Sequence, residues 1–171
     1  MAPGADETPK PGERPADLVK RLARLKATAV ATKHPEACVI GSDQVAVLAA
    51  DAGAELILGK PGTEARCMDQ LQQCSGRTVT FLTAVAVMSQ DDNALFEFVD
   101  TTQVKFRSLD QTAIRRYVAR EKPLDCAGGF KSEGLGISLC ESIDSVDPTA
   151  LIGLPLIRLS AVLRDAGFEL P

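Results

Sequence analysis

The segment Gly41-Ser42-Asp43-Gln44 puts a carboxylate between two apolar runs, Ala37-Cys38-Val39-Ile40 and Val45-Ala46-Val47-Leu48. An acid inside a buried strand is costly unless it is paired, hydrogen-bonded or beside a metal. Held by a rigid strand, such an acid can also act as a general base or a metal ligand. On the strand pattern alone, a hydrogen-bonded structural acid fits equally well. Lys60 follows the short apolar run Leu56-Ile57-Leu58 and Gly59, and precedes Pro61. Glycine lets a backbone approach a phosphate and lysine supplies a point charge, although Gly-Lys-Pro is also an ordinary exposed turn. Lys131 and Glu133 flank Ser132 within the glycine-framed Cys126–Gly134 segment. In an extended chain they would point to one side as paired opposite charges, or serve as a solvated loop pair. Lys26 borders the apolar stripe of the first expected helix, where a snorkelling surface lysine is the plain alternative. Acids, lysines and close backbone approach together suit a phosphate-bearing substrate.

Other chemistries find less support. There is no Walker-type loop and no G-x-G-x-x-G fingerprint, and Gly41-Ser42-Asp43 is not a nucleophile elbow. His34 is the only histidine and lies in a polar Lys-His-Pro-Glu turn. The five cysteines lack paired metal-type spacing and read as scattered reduced thiols of a cytoplasmic protein. A net charge of −4 argues against broad binding to nucleic acid, which needs a basic face. No apolar stretch approaches a membrane span, and the first residues have no apolar signal core. The expectation is a cytoplasmic protein with neither nucleic acid nor membrane as partner.

The elements that must position these residues follow from periodicity. With 171 residues, 45% apolar and 25% charged, the chain is long enough for one domain with a sizeable core. Residues 1–14, rich in Pro, Gly and charge, read as a flexible leader. Ala16–Thr32 reads as a helix with Leu18, Leu22, Leu25 and Ala29 inward. A strand is expected over Ala37–Ala50, broken near Asp43, then a turn at 51–54 and a short strand at 56–58. Thr63 caps a helix to Cys74 that ends at Gly76. Strands Thr78–Met88 and Ala94–Phe106 form a hairpin through residues 89–93. Ser108 and Gln111 suggest a capping box for a helix to Arg120, with Ile114, Tyr117 and Val118 inward. A strand at Gly136–Cys140, a turn opened by Asp147-Pro148 and a helix over Leu156–Ala166 complete the chain. This order predicts an α/β (α+β) single domain over 1–171 with a mixed sheet.

The segments that carry these features resemble the Maf-like nucleotide pyrophosphatases, in particular their 7-methyl-GTP branch. They are Asp6-Glu7-Thr8-Pro9, Leu22–Ala27, Ile40–Val45, Gly59-Lys60-Pro61, Ser75–Thr78, Phe106–Leu109, Cys126–Gly134 and Gly153–Leu156. The resemblance spans almost the whole chain. It implies an elongated domain with a central cleft, often paired as a homodimer. It implies hydrolysis of a nucleoside triphosphate between its α- and β-phosphates, with a divalent cation, Mg²⁺ or Mn²⁺. Asp43 matches the catalytic acid, and Gln44 and Glu133 match positions linked to substrate choice. Other branches usually carry Thr after the Asp and Gln where Glu133 stands. A 7-methylguanine ring is cationic, so an acid such as Glu133 would favour it over guanine. Lys26, Lys60 and Lys131 would offset phosphate charge, and Glu7 with Asp43 would hold the metal.

Two departures accompany the match. Leu25 stands where an acid often precedes the lysine. Family members also open with a strand, a Ser/Thr-rich loop ending in adjacent arginines, and a helix, whereas this sequence starts just before Asp6-Glu7. The expectation is therefore an N-terminally truncated Maf-like domain. The alternative to an active enzyme is a nucleotide-binding or regulatory remnant without the phosphate loop.

Overall fold

The computed structural model describes residues 7–50, 55–89 and 94–171. The expected turn at 51–54, the hairpin connection at 90–93 and Asp6 lie outside the described residues. Among the described residues, four α-helices, α1 (Pro15–Ala31), α2 (Glu64–Cys74), α3 (Gln111–Glu121) and α4 (Leu156–Asp165), accompany five strands. The strands are β1 (Val39–Ala49), β2 (Glu55–Leu58), β3 (Thr78–Ser89), β4 (Ala94–Phe106) and β5 (Cys140–Ser145). They form one sheet in the order β2-β1-β3-β4-β5. β1 pairs antiparallel with β2, Ala46 opposite Leu58, and β4 pairs antiparallel with β5, Thr102 opposite Ser145. The mixed α/β class expected from the order of elements is thus observed. Among the described residues no helix is long and apolar enough to cross a membrane.

The chain divides into two compact units. The first comprises residues 1–44, 82–100 and 147–171, and the second residues 45–81 and 101–146. In the first, Val85, Val87 and Phe98 pack with Leu159 of α4, and Cys38, Phe96, Leu154, Val162 and Leu163 close around them. In the second, the ring of Phe130 lies 5.7 Å from that of Phe81 and 5.3 Å, edge-on, from that of Phe106. Such tilted and edge contacts suit the aromatic quadrupole.

Helix α1 is amphipathic as expected, but its buried face is rotated. Leu18 and Leu22 are buried with Val19, Ala23, Ala27 and Ala31, whereas Leu25 is 37% exposed. The cause is Gly41. A Cβ at that position would lie 2.4 Å from the Ala23 carbonyl oxygen and 2.6 Å from the Ala27 nitrogen. At Gly41 the helix therefore rests Ala23 and Ala27 on β1, and Leu25 turns outward while Leu18 and Leu22 stay buried. β1 runs unbroken through Asp43, contrary to the expected interruption. The 7–14 segment of the expected leader forms neither helix nor strand. It is tied to α1 where Arg21 donates to both carboxylate oxygens of Glu13.

The Thr63 cap is as expected, its hydroxyl accepting the Arg66 N–H. For α3 the cap is Asp110, not Ser108: Asp110 Oδ1 accepts the Ala113 N–H at 2.7 Å. Asp110 is the last extended residue before the helix, so its carboxylate reaches the free N–H groups that Ser108 cannot. The expected strand at 136–140 is instead a 3-10 turn, Leu135–Leu139, and β5 begins only at Cys140. The Gly136 N–H turns back to the Lys131 carbonyl at 3.1 Å, which curls the chain before it can join the sheet.

Candidate functional site

In the first unit, three expected residues converge. Successive side chains of a strand alternate in direction, so Gly41 and Asp43 share the face of β1 that meets α1. The bare Gly41 lets α1 approach, and this brings Lys26 over Asp43. The Lys26 Nζ lies 2.5 Å from Asp43 Oδ1 and 2.9 Å from Glu7 Oε1. Asp43 is nearly buried, with 9% of its side chain exposed. Burial works against the Lys26 charge, but hydrogen bonds to Asp43 and then Glu7 outweigh it and raise its pKa. The ammonium is therefore a fixed positive charge between two carboxylates.

Ser42 and Gln44 occupy the other face of β1. Ser42 Oγ lies 2.7 Å from the Gly153 carbonyl oxygen and 3.0 Å from that of Ala84. Gln44 Nε2 donates to Thr83 Oγ1 at 2.9 Å and to the carbonyls of Ala150 and Leu151 at 3.0 and 3.2 Å. Buried Thr83 donates in turn to the Ala150 carbonyl at 2.9 Å. The amide of Gln44 thus anchors the 3-10 turn Ala150–Ile152. Although adjacent to Asp43 in sequence, it points to a different neighbourhood.

In the second unit, Lys60 is exposed at the end of β2. The Gly59 carbonyl before it accepts from Gln70 Nε2 at 3.2 Å and from the Gly128 N–H at 3.3 Å. This ties the Lys60 turn to the glycine segment. Gly129 has a φ of 64°, and a Cβ there would lie 2.5 Å from Cys67 Sγ. Only glycine meets both demands.

The Lys131–Glu133 pairing expected from an extended chain does not form, because residues 132–134 make a turn. Lys131 Nζ instead meets Glu121 Oε1 of α3 at 3.1 Å. Glu121 Oε2 also accepts the Leu135 N–H at 2.7 Å. That N–H, and then the Lys131 ammonium, hold the Glu121 carboxyl below its usual range. Glu133 is exposed and accepts from Ser132 Oγ at 3.4 Å. One helical turn before Glu121, the Tyr117 hydroxyl donates to the Gly129 carbonyl at 3.2 Å and accepts the Lys131 N–H at 3.0 Å. Tyr117 and Glu121 together fasten the segment that carries Lys131 and Glu133. Sequence reading took Tyr117 as core and passed over Glu121. Their spacing of four on one helix was the available signal.

The expected divalent cation can be tested against these donors. Mg²⁺ is a hard ion that takes one or two carboxylates and completes its shell with water and phosphate oxygens. Glu7 and Asp43 supply two converging carboxylates, which fits that partial set. Among the described residues, no group of three or more His, Cys, Asp or Glu could hold a metal, so substrate oxygens would have to share the shell. All five cysteines are free thiols. Burial pushes Cys67 and Cys126 up to about 11 and Cys74 up to about 12, so they stay protonated and unreactive near neutrality.

Comparison with known proteins gives a consistent result. The family described as Maf-like protein matches residues 1–166. A 7-methyl-GTP pyrophosphatase of Aromatoleum aromaticum is 53% identical over 99% of this chain and 84% of its own length. One from Alkalilimnicola ehrlichii is 54% identical over 96% of this chain and 80% of its own length. One from Pseudomonas aeruginosa is 48% identical over 99% and 86% respectively.

Proposed function

Because the chain belongs to the Maf-like protein family, we propose that it hydrolyses 7-methyl-GTP to 7-methyl-GMP and pyrophosphate. The observation that carries this reading is identity of about one half, 53% in one case, across nearly the whole chain to relatives bearing that activity in their names. The geometry around Asp43 supports it. A nearly buried carboxylate, fixed by a neighbouring ammonium, can orient a water without reorganising during the reaction. That water attacks the α-phosphorus as Asp43 takes its proton. The bond from the α-phosphorus to the bridging oxygen breaks, and the oxygen leaves with pyrophosphate.

Lys26, Lys60 and Lys131 offset charge on the triphosphate and on the departing pyrophosphate. Lys26 also keeps the Asp43 and Glu7 carboxylates together. Those two residues would hold a Mg²⁺ or Mn²⁺ ion, which would neutralise phosphate charge when bound. Glu133 favours the cationic methylated ring, since the methyl group by itself is worth little discrimination. Gln44 bears on nucleotide choice through the Ala150–Ile152 turn that its amide holds. The free thiols support a reducing, cytoplasmic setting.

The test is pyrophosphate release from 7-methyl-GTP and from GTP. The expected result is turnover that prefers the methylated nucleotide. Asp43→Asn should lower it by about 10²-fold or more with the fold retained. Glu133→Gln should narrow the preference. Turnover unaffected by Asp43→Asn would overturn the assignment of the base, and no release from either nucleotide would overturn the activity.

A further inference from the structure

The segment Phe106–Leu109 has no part in the reaction above, yet Arg107 opens onto a pocket of about 150 Å³ within the second unit. The pocket lies between α3 and the 3-10 turn Leu135–Leu139. Three arginines line it: Arg107, and Arg116 with Arg120 one helical turn apart on α3. Leu135 and Leu139 form its apolar wall, and no Asp or Glu is among its lining residues. Such a concentration of cation is unexpected in a chain with a net charge of −4.

The state of each guanidinium matters more than the count. Arg107 Nε donates to the Ser138 carbonyl at 3.0 Å, and its Nη1 donates to the Ser108 carbonyl at 3.0 Å. Neutral carbonyls therefore hold it in place while its charge stays uncompensated. The side chains of Arg116 and Arg120 form no ion pair or hydrogen bond among the described residues. The nearest acid on the helix, Glu121, spends its carboxylate on the Leu135 N–H and on Lys131. One pre-set and two unengaged guanidinium groups around a small recess suit the planar, multi-donor recognition of phosphate oxygens. The volume falls well short of the roughly 300 Å³ at which pockets for larger ligands begin. It suits a free phosphate or diphosphate.

We propose that the Arg107–Arg116–Arg120 pocket is an anion site for a small inorganic phosphate or pyrophosphate, separate from the residues assigned to the reaction. The test is calorimetric titration of the full chain with inorganic pyrophosphate, for the wild type, R116E/R120E, R116Q/R120Q and K60A. The pocket predicts a binding event that persists in K60A. It should weaken at least about tenfold in both double variants, since each removes two charge-assisted donors. The neutral glutamine pair keeps the test valid if charge reversal disturbs folding, which circular dichroism and Tm report. Binding in R116Q/R120Q equal to wild type would overturn the proposal. So would a single binding event that K60A abolishes.

Discussion

The Tyr117 hydroxyl accepts the backbone N–H of Lys131 at 3.0 Å, and its own proton goes to the Gly129 carbonyl. One buried side chain thus closes the glycine segment on both sides of Phe130. Tyr117→Phe keeps the ring and removes the clamp, leaving the Lys131 N–H without its acceptor and the Gly129 carbonyl with only the weak Cys67 thiol donor at 3.9 Å. The expected cost is about 1–3 kcal/mol, read as a lowered midpoint in urea unfolding. A midpoint equal to wild type would show that the hydroxyl holds nothing. Pyrophosphate release should also fall, because Lys131 and Glu133 lose their fixed backbone.

Lys26 stands between Asp43 and Glu7, and Lys26→Met removes the ammonium that both carboxylates contact. Both lose a charge-assisted contact, so Asp43 is held less firmly in the orientation that its role as base needs. Turnover should drop by about tenfold, on the order of one lost charge-assisted contact, with the fold retained by circular dichroism. Wild-type turnover in Lys26→Met would mean that Lys26 does not position the base.

Gly41 is the contact on which this geometry rests. Its missing side chain leaves room only for the backbone of Ala23 and Ala27, which cannot rotate away. Gly41→Ala should therefore cost at least about 1–3 kcal/mol through overpacking. It should also lower turnover, by pushing α1 and Lys26 off Asp43. Wild-type Tm and wild-type turnover together would refute this reading of the α1–β1 contact.

The features legible in the sequence were those set by near neighbours. Thr63 caps α2 and Ile114, Tyr117 and Val118 face inward, because capping and helical periodicity act over a few residues. Asp43 was recognisable as an acid among apolar residues, and its structure is that of a nearly buried, paired carboxylate. Features set by distant segments were misread. Leu25 belongs to a plausible apolar stripe, but Gly41, sixteen residues later, selects the alanine face instead. Gly136–Cys140 alternates like a strand, yet the Gly136 bond back to Lys131 and the Glu121 bond to Leu135 curl it into a 3-10 turn. The partner of Lys131 was likewise hidden, since it lies on α3 and not beside it in sequence.

Asp147 extends the same lesson to α4, whose cap residue Pro155 offers no side-chain acceptor. The buried Asp147 supplies it from eight residues upstream: Oδ2 accepts the Ile157 N–H at 2.6 Å, and Oδ1 accepts the Thr149 N–H and hydroxyl at 3.0 and 2.6 Å. Burial alone would raise its pKa, but these hydrogen bonds, the Thr149 hydroxyl foremost, outweigh it and lower the value. A folded-state pKa below that of the unfolded chain, about 3.9, stabilises the protein above that pH. The contribution fades as pH falls through 4 toward the folded value. Asp147→Asn cannot match both accepting oxygens, so at pH 7 it should lose about 1.5–3 kcal/mol. The gap in Tm between wild type and variant should narrow as pH drops from 5 to 3, because only the wild type then surrenders its ionised cap. A gap that stays constant across that range would show that Asp147 acts by shape and not by charge.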